Sequence, residues 1–130
     1  MIRTRRQFIQ TLGTAGAALG VAGLAPAARA QSKWPERPIR VIVPYTAGGF
    51  TDNMARTVCQ KLEERLGTSV VIDNKPGANS IIGVDMLSRA KPDGYTFGVV
   101  IAAFAANTTL YPKLPYDPAK DFQPVALIGI

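Results

Sequence analysis

Residues 41–52 read VIVPYTAGGFTD and join an apolar, β-branched run to a Gly-Gly turn and then to a polar segment. The run at 41–43 is typical of a strand that is buried on both faces. The two glycines lack Cβ atoms, so the backbone can turn sharply there and approach a ligand closely. Thr51 and Asp52 are good N-cap types for a following helix, whose free N–H groups would point back toward the turn. The stretch therefore predicts a phosphate or carboxylate site, or else a tight strand–helix connection that binds nothing.

Two helices are predicted after this turn. The first ends at Gly67, which suits the left-handed position that follows a helix. Its apolar residues, including Cys59, recur at spacings of three and four and so lie on one face. We expect Cys59 to be a core residue, since the chain has no histidine that could act as its base. The second helix would begin at Asn79 or Ser80 and end before Pro92.

Short apolar runs predict three further strands, at residues 69–73, 96–103 and 125–130. Residues 104–110 fit either a short helix or a loop, and residues 111–122 contain three prolines and are expected to form an irregular crossing. The alternation of strands and helices predicts an α/β fold with a mostly parallel sheet and flanking helices.

Three turns are candidates for a ligand site. In parallel α/β sheets, ligands bind beyond the carboxyl ends of the strands. Residues 46–52, 76–80 and 102–107 follow the first three predicted strands. We therefore expect these turns to lie close together.

The N-terminal segment has the features of an export signal. Arg5 and Arg6 form a twin-arginine pattern in a basic start, a weakly apolar stretch follows, and Ala28-Arg29-Ala30 is a cleavage motif. We expect a twin-arginine signal peptide at residues 1–30 and a periplasmic mature segment with no stable membrane insertion. A membrane-spanning helix is disfavoured because the apolar run is short and rich in glycine.

The charge of the chain does not indicate a nucleic-acid partner. Of its 15 lysine and arginine residues, four lie in the first 30 residues, whereas all nine acidic residues follow them, so the net charge falls from +6 to +2 without the signal. No basic stripe with interleaved aromatic residues is present in the sequence. The single cysteine excludes an internal disulfide.

Five motifs occur in order after residue 31. They are WPERPIR at 34–40, the strand and glycine turn through Asp52, VIDNKPGA at 71–78, PDGYT at 92–96 and LPYDPAKDFQPV at 114–125. With these motifs the chain resembles the periplasmic solute receptors of the tripartite tricarboxylate transporter family, often called Bug receptors. The resemblance implies a two-lobed, hinged fold of the periplasmic binding protein type II class.

The resemblance also implies a division of the chain. Residues 31–130 would be the N-terminal part of lobe one, with the second lobe absent. The apolar run that ends at Ile130 has no polar tail, so we expect a truncated gene or a fragment.

The resemblance further implies a function. Such receptors close on a small organic carboxylate or an amino acid and deliver it to membrane permease subunits, without catalysis, metal or cofactor. In the family, backbone N–H groups and waters hold the ligand carboxylate. Carried over motif by motif, the implied ligand-binding residues are Ala47, Gly48, Gly49, Thr51 and Asp52 in the first turn, and Gly77, Ala78, Asn79 and Ser80 in the second.

The two turns depart from the family pattern at two points, and the role of Asp52 stays open. Thr46 stands where members often carry proline, and the loop at 77–80 contains fewer glycines than is usual. Asp52 could stabilise the start of the helix, or it could bind the ammonium group of an amino-acid ligand.

Two other functions remain open from the sequence. One is a ligand sensor for a two-component system, which the residues do not distinguish from a transport receptor. The other is a periplasmic α/β enzyme acting on an anionic substrate. The enzyme is disfavoured because the sequence has no histidine, no G-x-S-x-G motif, no Walker lysine and no metal-ligand cluster.

Overall fold

A computed structural model of the chain describes residues 33–129. The predicted signal peptide at residues 1–30 lies outside the described residues. The elements in chain order are β1 (Ile39–Val43), α1 (Phe50–Leu66), β2 (Val70–Asn74), a 3₁₀ turn (Ala78–Ser80), α2 (Ile81–Ser88), β3 (Thr96–Gly98) and α3 (Ala103–Leu110). The three strands form one parallel sheet in the order β2-β1-β3, which confirms the expected α/β architecture.

Strand β1 is the centre of the sheet and is buried on both faces, as its apolar run predicts. Val41 and Val43 point to the face that carries α1, where they form a core cluster with Ala55 and Cys59. The core position expected for Cys59 is therefore confirmed, and burial raises the pKa of its thiol. Ile42 points to the opposite face and is 1% exposed.

Helix α2 packs closely on the face of the sheet opposite α1. Gly98 is paired in register with Ile42, and a Cβ atom added to it would lie 2.4 Å from a methyl carbon of Leu87 in α2. A Cβ atom added to Gly83 would lie 2.6 Å from Cβ of Pro44, directly after β1. Glycine at 83 and 98 thus lets α2 approach the backbone of the sheet.

Two of the strand predictions are wrong in extent or existence. Strand β3 covers residues 96–98 rather than 96–103, since the chain turns away after Val99 donates its N–H to the carbonyl of Ile42 at 3.0 Å. Residues 125–129 form no strand, and Val125 and Leu127 are 76% and 78% exposed. An apolar run supplies the side-chain pattern of a strand, but a strand also needs a neighbour, and no described strand pairs with this run.

The helix ends agree only partly with the predictions. Gly67 takes the left-handed conformation after α1 at φ 65°, as expected. The N-cap of α1 is Gly49, however, so Thr51 and Asp52 lie inside the first turn and the prediction of a side-chain N-cap there is wrong. Gly49 has an extended backbone, which already fulfils the conformational requirement of an N-cap.

Within residues 33–129, no helix has the length and apolar character needed to cross a membrane.

Candidate functional site

An open cleft of about 390 Å³ lies at the carboxyl ends of β1 and β2. Two segments form its walls. The first loop, residues 44–51, follows β1 and includes the first two residues of α1; the second loop, residues 75–80, lies between β2 and α2. The lining residues are Pro44, Tyr45, Thr46, Gly49, Phe50, Thr51, Pro76, Gly77, Asn79 and Ser80. The cleft therefore lies where the carboxyl ends of parallel strands predict a ligand site.

The two loops begin side by side because the neighbouring parallel strands β1 and β2 end at paired residues. Val43 is paired with Asn74 at the end of the ladder, and the N–H of Lys75 donates to the carbonyl of Val43 at 2.9 Å. The side-chain amide of Asn74 then donates to the carbonyl of Tyr45 at 3.2 Å. These bonds fix the spacing between the two walls of the cleft.

Asp52 holds the first loop in place from inside the first turn of α1. Its Oδ2 accepts hydrogen bonds from the N–H of Gly48 and from Nε of Arg56, both at 2.8 Å, and its Oδ1 accepts one from Nδ2 of Asn74 at 2.9 Å. The side chain is 1% exposed. The bond from Arg56, followed by those from Gly48 and Asn74, holds the pKa of the Asp52 carboxyl well below its usual range.

This network decides which predicted groups face the cleft. Both oxygens of Asp52 are engaged by protein donors, so the geometry favours its structural role over an ammonium-binding one. The N–H of Gly48 is engaged in the same network, and the N–H of Gly49 donates to the carbonyl of Thr46 at 3.3 Å. The donors of this loop that lack an intrahelical partner belong to the first turn of α1, which includes Phe50 and Thr51.

The second loop has an uncommon backbone conformation. Gly77, Ala78, Asn79 and Ser80 have φ values of 129°, 45°, 51° and 74°. Positive φ is uncommon for residues other than glycine and costs about 1–3 kcal/mol for each strained residue. Three consecutive non-glycine residues with positive φ therefore need stabilising contacts from outside the loop. Ser80 occupies the N-cap position of α2 but makes no capping hydrogen bond with its side chain.

Asn107 of α3 supplies contacts to this strained loop. Its Oδ1 accepts from Nδ2 of Asn79 at 2.6 Å, and its Nδ2 donates to the carbonyl of Asn79 at 2.8 Å and to Oγ of Ser80 at 3.5 Å. Asn107 is fully buried, behind the loop rather than in the lining of the cleft. It belongs to the third predicted turn, and the structure does bring that turn against the second.

The structure separates the predicted ligand-binding residues into two groups. Lining the cleft are Gly49, Thr51, Gly77, Asn79 and Ser80. Ala47, Gly48, Asp52 and Ala78 do not line it. Sequence reasoning missed Tyr45, directly before the predicted turn, and Phe50, within it, both of which line the cleft. An aromatic residue next to a glycine turn was the available signal for both.

None of the residues that line the cleft carries a charge. Lys75, just outside the lining, pairs with Asp73 at 3.1 Å. Among residues 33–129, no group of three or more acidic, histidine or cysteine side chains could hold a metal ion. An anion in the cleft would therefore depend on backbone N–H groups and hydroxyls.

A sequence profile described as "Tripartite tricarboxylate transporter family receptor" matches residues 54–129, which is more than half of the chain. The chain belongs to this receptor family. Its membership confirms the resemblance that the five motifs indicate.

Relatives of the tripartite tricarboxylate receptor family share both sequence and fold with the chain. Protein BugT of Bordetella pertussis is 38% identical over 120 residues, which are 91% of this chain and 36% of BugT. The periplasmic binding protein BugD is 42% identical at a TM-score of 0.67, over 70% of this chain and 30% of BugD. MatC from Rhodopseudomonas palustris, solved with bound malate, is 38% identical at a TM-score of 0.69, over 73% of this chain and 33% of MatC. The chain thus spans about a third of the length of these receptors, and the expected periplasmic binding protein fold is confirmed.

Proposed function

We propose that the whole protein is a periplasmic receptor that binds a small organic carboxylate and delivers it to the permease of a tripartite tricarboxylate-type transporter. Membership of the receptor family and the malate bound to MatC support this function. The observation that carries it in this chain is the uncharged cleft between the two loops, beside the first turn of α1 with its free N–H groups. Residues 31–130 would form part of lobe one of such a receptor, and a second lobe would close over the cleft.

Backbone donors are the proposed means of binding. The first turn of α1 has N–H groups without intrahelical partners, and we propose that these and N–H groups of the second loop bind the ligand from two sides of the cleft. A hydrogen bond to a charged acceptor contributes about 1.5–3 kcal/mol, so three or four sustain micromolar binding after the entropic cost of association. Thr51 and Ser80 add hydroxyl groups within the lining of the cleft.

A plain carboxylate is the proposed ligand rather than an amino acid. An amino acid carries an ammonium group, which prefers a carboxylate partner. Neither loop contains an acidic residue, and Asp52 directly follows the first loop. Its two oxygens are already bonded to Arg56, Gly48 and Asn74. Dicarboxylates such as malate therefore fit the cleft better than aspartate does.

The test is calorimetry on a MatC chimera that carries residues 33–129 of this chain as its first third. We expect micromolar binding of malate and at least tenfold weaker binding of aspartate. Gly49→Val should weaken malate binding more than tenfold, because a side chain at this position, where an added Cβ already lies 3.3 Å from the carbonyl of Thr46, would narrow the cleft. Lys75→Ala, the matched control, should change the affinity less than twofold. If Lys75→Ala proves the more damaging change, a side-chain clamp binds the ligand and the backbone mechanism is wrong.

Export by the twin-arginine route is the proposed path to the periplasm. The motif at Arg5 and Arg6 and the cleavage motif that ends at Ala30 support it. Replacing both arginines by lysine should leave uncleaved precursor in the cytoplasm, detected by fractionation and immunoblotting. Normal amounts of mature protein in the periplasm of the variant strain would contradict this route.

A further inference from the structure

We infer that Asn107 is a positioning residue of the proposed carboxylate site, which acts by holding the second loop in its left-handed conformation. It does not line the cleft and acts through Asn79 and Ser80, which do. The inference rests on the proposed function for the identity of the site, but the effect on the loop can be measured without a ligand.

The contacts of the Asn107 side chain are directed to the loop. A side-chain amide has one carbonyl oxygen and two N–H donors. In Asn107 the oxygen accepts from the side chain of Asn79, and the nitrogen donates to the carbonyl of Asn79 and to the hydroxyl of Ser80. Because the residue is fully buried, these groups cannot exchange their partners for water. The side chain of Asn107 is thus hydrogen-bonded to both the backbone and the side chain of Asn79.

The second loop needs the hydrogen bonds of Asn107 because its backbone conformation is strained. Ala78, Asn79 and Ser80 all have positive φ, which L-residues avoid. Within the turn the N–H of Ile81 donates to the carbonyl of Ala78, but the side chain of Ser80 makes no capping bond, so the side-chain bonds that hold the turn come from Asn107. Without Asn107, the backbone would relax toward ordinary conformations, and the N–H groups of the loop would turn away from the cleft.

Helix α3, which carries Asn107, is itself anchored by an aromatic cluster. Phe104, one turn before Asn107, stacks on Tyr116 with ring centroids 6.1 Å apart, and Phe122 meets both rings edge-on at 5.4 and 5.6 Å. Tyr116 is 6% exposed. The Pro-rich crossing after α3 therefore fixes the helix, and the helix fixes the loop through Asn107, 28 residues away in sequence.

The experiment compares Asn107→Ala with Thr109→Ala, an exposed position on the same helix, in the ¹⁵N-labelled chain. Amide hydrogen exchange is measured at residues 78–80 and, as an internal reference, at β1. We expect Asn107→Ala to speed exchange at 78–80 at least tenfold relative to β1, and Thr109→Ala to change neither. A merely structural asparagine would instead speed exchange in β1 and in the loop together, or leave the loop unchanged, and either result overturns the inference.

Malate serves as the ligand probe in a second arm, which follows the amide shifts of the loop during titration. In the unsubstituted chain, malate should shift the amide signals of residues 78–80, and Asn107→Ala should weaken that response at least tenfold. Equal, measurable responses in the two proteins overturn the inference. If malate shifts no amide signal in either protein while Asn107→Ala still loosens the loop, malate binding at this cleft of the chain fails and the positioning of the loop by Asn107 is supported.

A second variant covers the case in which Asn107→Ala does not fold. Asn107→Asp keeps the shape and the Oδ1 acceptor but removes both N–H donors, so the bond to the Asn79 carbonyl is lost and two oxygens face each other there, while the Ser80 hydroxyl can only donate. The same local rise in exchange at residues 78–80 is expected. Unchanged loop exchange in this variant overturns the inference.

Discussion

Gly83→Ala should destabilise the protein, although alanine is the better helix former. Gly83 lies inside α2, where its backbone is helical, and helix propensity alone predicts a gain of about 1 kcal/mol for alanine. The added Cβ, however, would lie 2.6 Å from Cβ of Pro44, 2.9 Å from its Cα and 2.8 Å from the carbonyl oxygen of Lys75. A proline ring and a backbone carbonyl cannot rotate aside, so α2 or the sheet must move.

The two effects set the expected magnitude. Overpacking of this kind costs about 1–3 kcal/mol. Because all three close contacts are made to a proline ring or to backbone, the cost should lie in the upper part of this range, at about 2–3 kcal/mol. Subtracting the gain in helix propensity leaves a net loss of about 1–2 kcal/mol in the free energy of unfolding. With a urea m-value of about 1 kcal/mol/M, this lowers the urea midpoint by about 1–2 M.

The assay is urea unfolding of the chain followed by circular dichroism at 222 nm. Gln60→Ala, an exposed position in α1, is the matched control and should leave the midpoint equal or slightly higher. An unchanged or raised midpoint for Gly83→Ala would refute the close packing of α2 against Pro44. That result would also contradict the contact of α2 with Pro44 and Lys75, the first residues of the two cleft loops.

Two further substitutions test the Asp52 network beside the cleft and the buried core of the sheet. Because the pKa of Asp52 is depressed in the folded state, its contribution to stability is present above its unfolded value of about 4 and is lost as the pH falls through the folded pKa. The urea midpoints of Asp52→Asn and the original chain should accordingly differ most between pH 5 and 7, and the difference should shrink steadily as the pH falls below 4 toward the folded pKa; a constant difference would argue against the charge network. Ile42→Ala should cost about 2–5 kcal/mol because the side chain is fully buried, whereas Val71→Ala, at a position 52% exposed, should cost less than about 1 kcal/mol, both measured by urea unfolding.

The sequence predicts those parts of the fold that depend on local pattern. The run at residues 41–43 indicates a doubly buried strand, and β1 is the central strand of the sheet. Gly67 indicates a helix end, and its left-handed conformation follows from the absence of a Cβ atom. The helical spacing of the apolar residues around Cys59 indicates which face of α1 packs against the core. In each case the physical cause lies within a few residues of the signal.

The parts that the sequence does not predict depend on contacts between distant residues. Residues 125–129 have the composition of a strand but no strand neighbour among the described residues. Asp52 has the chemistry of an N-cap, yet it bonds to Gly48, Arg56 and Asn74 from inside the helix, and the last of these lies 22 residues away. No periodicity marks the bonds of Asn107 to the second loop. Such contacts become visible only when the sheet has brought the loops together.

The order β2-β1-β3 bears on how receptors with this fold can change their ligands. Five paired residues join β1 to β2, so the sheet sets the distance between the cleft walls independently of what the loops contain. Residues 46–50 and 76–79, by contrast, are exposed and contribute nothing to the core. Substitutions at Thr46, Phe50 and Pro76, which line the cleft and do not have positive φ, alter its shape at little cost to stability, so natural selection can explore new ligands at these positions while the scaffold stays constant. The same positions are where a library of altered receptors should be randomised.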